Sequence, residues 1–509
     1  MKNIKTIVTL CVGFWAVTAC DSEDLNLKNP NDYSVPTYYQ NTAELLAGTN
    51  AIYATIQSSQ MYAREFWFLH DLRGDDNKSG GGQLELPRAA LLNGTNNADN
   101  AVATAVWKGS YTAILRANTV IERGAETPDI SDADRKTLIG EAKFARGWMF
   151  FELGSLWGGV PLATKVATDF NEGFPKATQE AVLNQAITDL SEAAEALPLA
   201  SNTAIKGRFS KGAALAMLGR VYMYTGQYGL AKDAFDAIVD SKEYKLIDQY
   251  DENFQEENEF NDESILEIGY ANAGGFDWGG TGNGTNEQAV RTQEYSHIGW
   301  RNLIPSNALL NDFERVSKGD AKNDPRFAMS FYKTGDLFNN GTEVVPPAQG
   351  ETTTFEGETT EISWRKYSLM YKENPGGFKT GGINMRVIRY AEVLLNLAEC
   401  ELEAGDPARA ITLMNQIRSR ASVNMPGYPT AAYPVNSEQQ IMKAIMHEKR
   451  VELSSEQVRN RDILRWRKEG KFTVEPLANF EQKLLVLPIP QSEIDNNPAL
   501  TQADQNPGY

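Results

Sequence analysis

Glu392 and Glu399 stand two helical turns apart and could imitate the acid and base of a glycoside hydrolase. Such an enzyme needs its two carboxylates about 5 to 10 Å apart across a sugar-sized cleft. The residues around this pair, Tyr390 to Ala404, read instead as one uninterrupted repeat helix, so no catalytic residue is assigned. Metal chemistry has little to work with. His70, His297 and His447 are far apart in sequence, and His447-Glu448 lacks the second histidine of a zinc-protease helix. Asp75-x-Asn77-x-Ser79-Gly80 copies the first half of a calcium loop, but Leu86 holds the twelfth position and Glu85 comes one place early, so a solvated turn is expected. No glycine-rich phosphate loop opens a helix, and no serine or cysteine has a nucleophile setting. Neither a metal nor a cofactor is expected.

The aromatic residues point to binding. Trp107, Trp148, Trp157 and Trp466 fall in helical text and are expected in the core, whereas Trp67, Trp278, Trp300 and Trp364 lie in or beside irregular stretches. Trp278 stands among Gly274, Gly275, Gly279 and Gly280, which offer no side chains to enclose an indole. A sugar ring has an apolar C–H face and a hydroxyl rim, and flat aromatic side chains with polar neighbours suit both. Candidate ligand residues are therefore Trp278 and Trp300, with Phe276, Asp277, Asn283 and Tyr295 beside them. A first loop, residues 71–100, adds Arg73, Asp75, Asp76, Asn77 and Asn96, next to Trp67. His297, Arg301 and Asn302 are expected as polar neighbours of Trp300.

These loops need a frame, and the frame reads as helical. From Thr42 to Val239 apolar residues recur at three- and four-residue spacing, with long helices expected over 105–123, 132–156 and 179–197. Leu218-Gly219-x-x-Tyr222, then Gly226, then Ala231-x-x-x-Phe235 fits a tetratricopeptide helix-turn-helix. A second copy stands at Gly405, Ala410 and Met414. Between about 245 and 385 the composition turns to Gly, Asn, Thr and aromatic residues, which is loop and short-strand text. Long loops on a rigid frame are where binding usually sits.

The first residues set the location. Lys2 and Lys5 precede an uncharged run from Ile7 to Ala19, too short to span a membrane and of secretory-signal form. Ala16 to Ala19 followed by Cys20 resembles the lipobox of bacterial lipoproteins, so acylation, palmitate included, is expected on Cys20. Asp21-Ser22-Glu23-Asp24 resembles the acidic tag that sends such proteins to the outer face of the outer membrane. The expected divisions are a signal peptide at 1–19, a lipidated tether at 20–35, an N-terminal helical part at 36–244, a loop-rich ligand-binding region at 245–385 and a closing helical part at 386–509. Loss of Lys2 and Lys5 takes the formal charge from −18 to −20, which repels phosphate backbones and argues against nucleic acid.

Several segments together resemble one family. Gly140 to Arg146, Phe151-Glu152-Leu153 and Trp157-Gly158-Gly159-Val160-Pro161 look like the N-terminal signature of SusD/RagB nutrient-binding lipoproteins. Gly207-Arg208-x-x-Lys211-Gly212, Arg389-Tyr390-Ala391-Glu392, Asn415-x-x-Arg418-x-Arg420, Glu448-x-Arg450-x-Glu452 and Arg461-Asp462 follow in the family's order, and Leu487-Pro488-Ile489-Pro490 to Tyr509 resembles its terminus. The resemblance implies a mostly α-helical, non-enzymatic protein: four tetratricopeptide-like units packed against an irregular ligand-binding region. It also implies a SusC-type TonB-dependent transporter as partner and oligo- or polysaccharide as ligand, with a peptide binder or a scaffold for protein partners as alternatives. Family ligand sites lie in variable loops, so no binding residue is carried over. The motif charges, Arg146, Glu152, Arg208, Glu448, Arg450, Glu452, Arg461 and Asp462, are expected to pair inside the helical frame.

Overall fold

The computed structural model describes residues 38–509 apart from 170, 172, 204, 274, 277, 279–286 and 377. Cys20, the acidic run after it, Asp277 and Asn283 lie outside the described residues.

Eight helices come first: α1 (Thr42–Gln57), α2 (Glu65–Asp71), α3 (Leu86–Leu92), α4 (Ala101–Glu126), α5 (Asp132–Trp157), α6 (Gln179–Ala196), α7 (Lys211–Tyr224) and α8 (Tyr228–Ser241). Side-chain caps set where the long ones start. Asn100 accepts from the N–H groups of Val102 and Ala103, and Ser131, Thr178 and Ser210 each accept from the N–H three residues on. Each such cap is worth about 1 kcal/mol. The three long helices expected from periodicity are α4, α5 and α6. The expected repeat is α7 and α8: a Cβ at Gly219 would overlap the Phe235 ring, and Gly226 turns the chain at φ +74°.

Three short helices follow, α9 (Arg291–Tyr295), α10 (Asn307–Asp312) and α11 (Arg326–Ser330), and then α12 (Tyr390–Glu403), α13 (Pro407–Arg418), α14 (Glu438–Leu453), α15 (Arg459–Lys468) and α16 (Gln491–Asn496). Consecutive helices from α4 to α8 pack on one another, α1 packs on α4, and α8 meets α12, which carries α13 and α14. The frame is thus one stack of helices interrupted in sequence, but not in space, by the loop-rich region.

That region holds β2 (Ser264–Ile268), β3 (Leu303–Pro305), β4 (Phe331–Lys333), β5 (Leu337–Phe338), β6 (Glu343–Val344), β7 (Thr353–Phe355), β8 (Glu358–Thr360) and β9 (Ile362–Trp364), with β1 (Asn77–Ser79) before it and β10 (Met385–Arg389) closing it. Among the described residues every sheet is a two-stranded antiparallel pair. β2 pairs with β10, so the region enters and leaves the frame at one point, and β3 pairs with β1 from the first loop. A single continuous core joins Trp148 and Trp157 of the frame to Tyr250, Tyr295 and Trp364 of the loop region. Burial against the frame, more than sheet pairing, is what orders such long loops.

The motif charges are paired, as expected, and all are buried except Arg208 and Arg450, which are partly so, but many partners come from distant segments. Arg146 holds Asp189 at 2.7 Å, Glu152 binds Arg461 at 2.7 Å and Arg450 binds Asp76 at 2.8 Å. Glu448 and Glu452 of α14 meet Arg326 of α11 at 2.6 and 3.0 Å. Glu452 also binds Arg389 and Arg420, which share Glu263.

These pairs predict acid sensitivity. Burial alone would raise the Glu152 pKa, but Arg461 and a hydrogen bond with His70 depress it to about 2. Its contribution is full above the unfolded carboxylate range and is lost as pH falls through the folded value, an effect of about 3 kcal/mol. His70 and His297 are held down at about 4, mainly by burial, so stability also falls between pH 6.5 and 4 as the unfolded chain takes up protons first. Glu259, raised by burial to about 7, acts in the opposite sense but is outweighed by the two histidines. The melting temperature is expected to drop steadily from pH 6.5 to pH 3. A value that stays level over that range would show that these groups are not perturbed as described.

Candidate ligand-binding surface

Four aromatic rings gather on one face of the loop region. Trp278 lies 4.6 Å from Phe276, 5.4 Å from Phe378 and 5.8 Å from Trp300, and Trp300 lies 5.9 Å from Phe378, all between ring centroids. Trp278 is 45% exposed and Phe378 59%, while Phe276 and Trp300 are partly buried. Mutual tilts of 39° to 68° make the surface cupped, not flat. Arg64 adds a polar edge, its guanidinium carbon 5.7 Å from the Trp278 ring centre. Although burial opposes its charge, Glu294 at 2.7 Å more than compensates, and Glu85 meets the same Nη2 at 3.2 Å.

The local chain explains how these rings stay in place. The Trp300 N–H donates to the Gln293 carbonyl at 2.8 Å, an approach that leaves no room for a Cβ at Gly299. Arg301 turns the chain at φ +50°. Its side chain points inward and donates to Ser363 Oγ and to the carbonyls of Gln349 and Glu351. Phe378 is positioned by its neighbours. Lys379 N–H donates to Gln293 Oε1, and Ala289 and Gly381 exchange backbone hydrogen bonds of 2.8 and 3.0 Å. Gln288 donates to Asn272 at 2.9 Å, tying down the start of the Trp278 loop.

Several residues expected at a ligand lie elsewhere. Trp67 is wholly buried, with its indole N–H on the Tyr62 carbonyl, and Tyr295 packs edge-on against it with its hydroxyl on Asp71. Neither has a face open to a ligand. His297 is buried between the Pro346 carbonyl and Ser363, and Asn302 donates to buried Glu294. Trp364 is buried too, donating to Asn77 Oδ1 at 2.9 Å.

The first loop is a structural strap. Arg459 and Arg450 occupy the carboxylates of Asp75 and Asp76, and residues 77–79 form β1, which corrects the expected solvated turn. Arg73 and Asn96 face a separate cleft. Glu392 and Glu399 are buried against Arg220 and Arg465, consistent with a repeat helix. Sequence reasoning missed Phe378 and Arg64. Phe378 carried a usable signal, since it follows Gly376-Gly377 as Trp278 follows glycines; Arg64 carried none.

The sequence matches a family model described as "SusD family" over residues 262–484 and another described as "Starch-binding associating with outer membrane" over residues 25–223. SusD-like protein P2 of Formosa agariphila is 27% identical over the full length of both chains. A solved structure titled "Laminarin binding SusD-like protein" is 28% identical with a TM-score of 0.74, covering 92% of this chain and 100% of its own. Surface glycan-binding protein A from Bacteroides thetaiotaomicron in complex with laminarihexaose is 22% identical, with a TM-score of 0.73 over 91% of this chain and 99% of its own, a likeness of fold. With two models of one family matched along most of its length, and that family's helical stack and loop region present, this chain belongs to the SusD-like family.

Proposed function

We propose that this protein is a surface glycan-binding lipoprotein that captures oligo- or polysaccharide on the rings of Phe276, Trp278, Trp300 and Phe378 and delivers it to a SusC-type TonB-dependent transporter. The observation that carries this reading is the exposure of Trp278 and Phe378 side by side on anchored loops. Large apolar side chains left open in a cluster mark a binding surface, and tilted rings can take the C–H faces of successive sugars. Asp277, next to Trp278 in sequence, and Asn283, five residues beyond it, would supply hydrogen bonds to hydroxyl rims. A relative that binds laminarin makes a β-glucan the first ligand to try.

Acylation of Cys20 would hold the domain at the outer membrane, in keeping with the likeness to a family model described as associating with that membrane. The protein would catalyse nothing, since Glu392 and Glu399 are committed to buried arginines. Affinity electrophoresis of the soluble chain, from Ser22 onward, through gels containing laminarin, other neutral glucans, mannan or xylan tests the reading. Retardation by at least one glycan is expected. Free migration through every gel, together with no binding to an oligosaccharide array, would remove glycan binding from the account.

A further inference from the structure

Arg73, partly buried in the first loop, differs from the buried arginines of the frame in its partners. Arg220, Arg461 and Arg465 each hold a carboxylate, and Arg301, which has none, is engaged by three acceptors. Arg73 makes one bond, from Nη2 to the Leu484 carbonyl at 3.0 Å, and its Nε is buried without an acceptor. Among the described residues no carboxylate acts on it: burial lowers its pKa, the nearby groups are the Tyr509 and Tyr224 hydroxyls, and the neighbouring charge is another cation, Arg467. A partly buried guanidinium with no counter-charge, and with its Nε buried and lacking an acceptor, is costly unless something completes it.

What lies beside it is a cavity of about 200 Å³, between the first loop, α3, α15 and residues 476–484. Leu91, Leu92, Leu464 and Leu477 form apolar walls. Arg467 also lines it, spending Nε and Nη2 on Glu475 while Nη1 is buried without an acceptor. Asn96 approaches the Tyr509 hydroxyl but leaves Nδ2 without a well-formed bond. The one carboxylate on the wall, Asp75, is already taken by Arg459 and Arg450. The unsatisfied groups here are all donors, and they sit against hydrocarbon.

We infer that this cavity is a second binding site, separate from the aromatic surface, for a small monocarboxylate with an apolar body. Arg73 pairs with the carboxylate, Asn96 and Arg467 orient it, and the leucines take the hydrocarbon. The volume is below that of a pocket for a drug-sized ligand, which suits a short acyl chain or a single ring and excludes an oligosaccharide. A carboxylate bound to a guanidinium in an apolar site gains more than it would in water.

Saturation-transfer NMR and thermal melts with butyrate, benzoate, glucuronate and sulfate, at constant ionic strength, test this. Butyrate and benzoate are expected to bind saturably and raise the melting temperature, with glucuronate and sulfate at least about tenfold weaker because they lack an apolar body. Arg73→Gln should weaken benzoate binding by at least about tenfold, with no fall in melting temperature, since it removes a partly buried charge that has no carboxylate partner. Leu464→Trp, which fills the cavity, gives the same loss by a different route if Arg73→Gln does not fold. No saturable binding of either acid to the wild type, unchanged binding to the folded variant, or sulfate binding as tightly as benzoate would each overturn the assignment.

Discussion

Glu452→Ala is expected to cost about 3 to 5 kcal/mol of folding free energy, the loss typical of breaking a buried ion pair by removing one partner. Glu452 is wholly buried in α14, where one oxygen accepts from Arg389 and Arg420 at 2.7 and 2.8 Å and the other meets Arg326 at 3.0 Å. Those cations hold its carboxyl far below the ordinary range against the opposing effect of burial. Truncation leaves three buried guanidiniums short of negative charge, a deficit that Glu263, Glu448 and Glu456, already engaged, can share only in part. The consequence reaches the aromatic surface. Glu263 precedes β2 and Arg389 ends β10, so the cluster clamps the two ends of the loop-rich region to the frame. Urea unfolding of the variant should show a lower midpoint. A loss below about 1 kcal/mol would mean that the cluster relaxes or admits water, and that the clamp is weaker than its geometry implies.

The frame was legible because its signals are local. Apolar spacing located α4, α5 and α6 to within a few residues, and Gly219 with Phe235 marked a close helix pair that the structure places in contact. Charges at helical spacing in 448–452 correctly implied buried pairing. Their partners Arg326 and Arg389 lie 63 to 126 residues away, and nothing in the sequence links them.

At the aromatic surface, the exposure of Trp278 was legible for a stated reason: glycines cannot cover an indole. Tyr295 and Trp67 carried no comparable signal, because whether a ring in irregular text faces the core depends on how distant segments pack. Asp75 and Asp76 looked like free ligand groups until Arg459 and Arg450, some 374 to 384 residues on, were brought against them. Arg64 reached the surface in the same way, through Glu294.

Trp278→Ala is the second large effect expected, and it bears on the central claim. The indole touches all three other rings and Arg64, so it is the middle of the surface, and losing a central aromatic anchor typically costs 2 kcal/mol or more, roughly a thirtyfold fall in affinity. Folding should hardly notice, because nearly half of the side chain is already in water. Trp148, wholly buried and hydrogen-bonded to Glu152, provides the opposite control, with about 3 to 5 kcal/mol of stability at stake in Trp148→Ala. The deciding measurement is calorimetric titration of wild type and Trp278→Ala with the glycan that retards the wild type most, laminarin first, alongside the melting temperature of each. The account predicts a thirtyfold or greater loss of affinity in a variant that melts within a few degrees of wild type. Glycan affinity unchanged in that variant, or an early melt, would return Trp278 to a structural role and contradict the aromatic surface as the place where this protein holds its ligand.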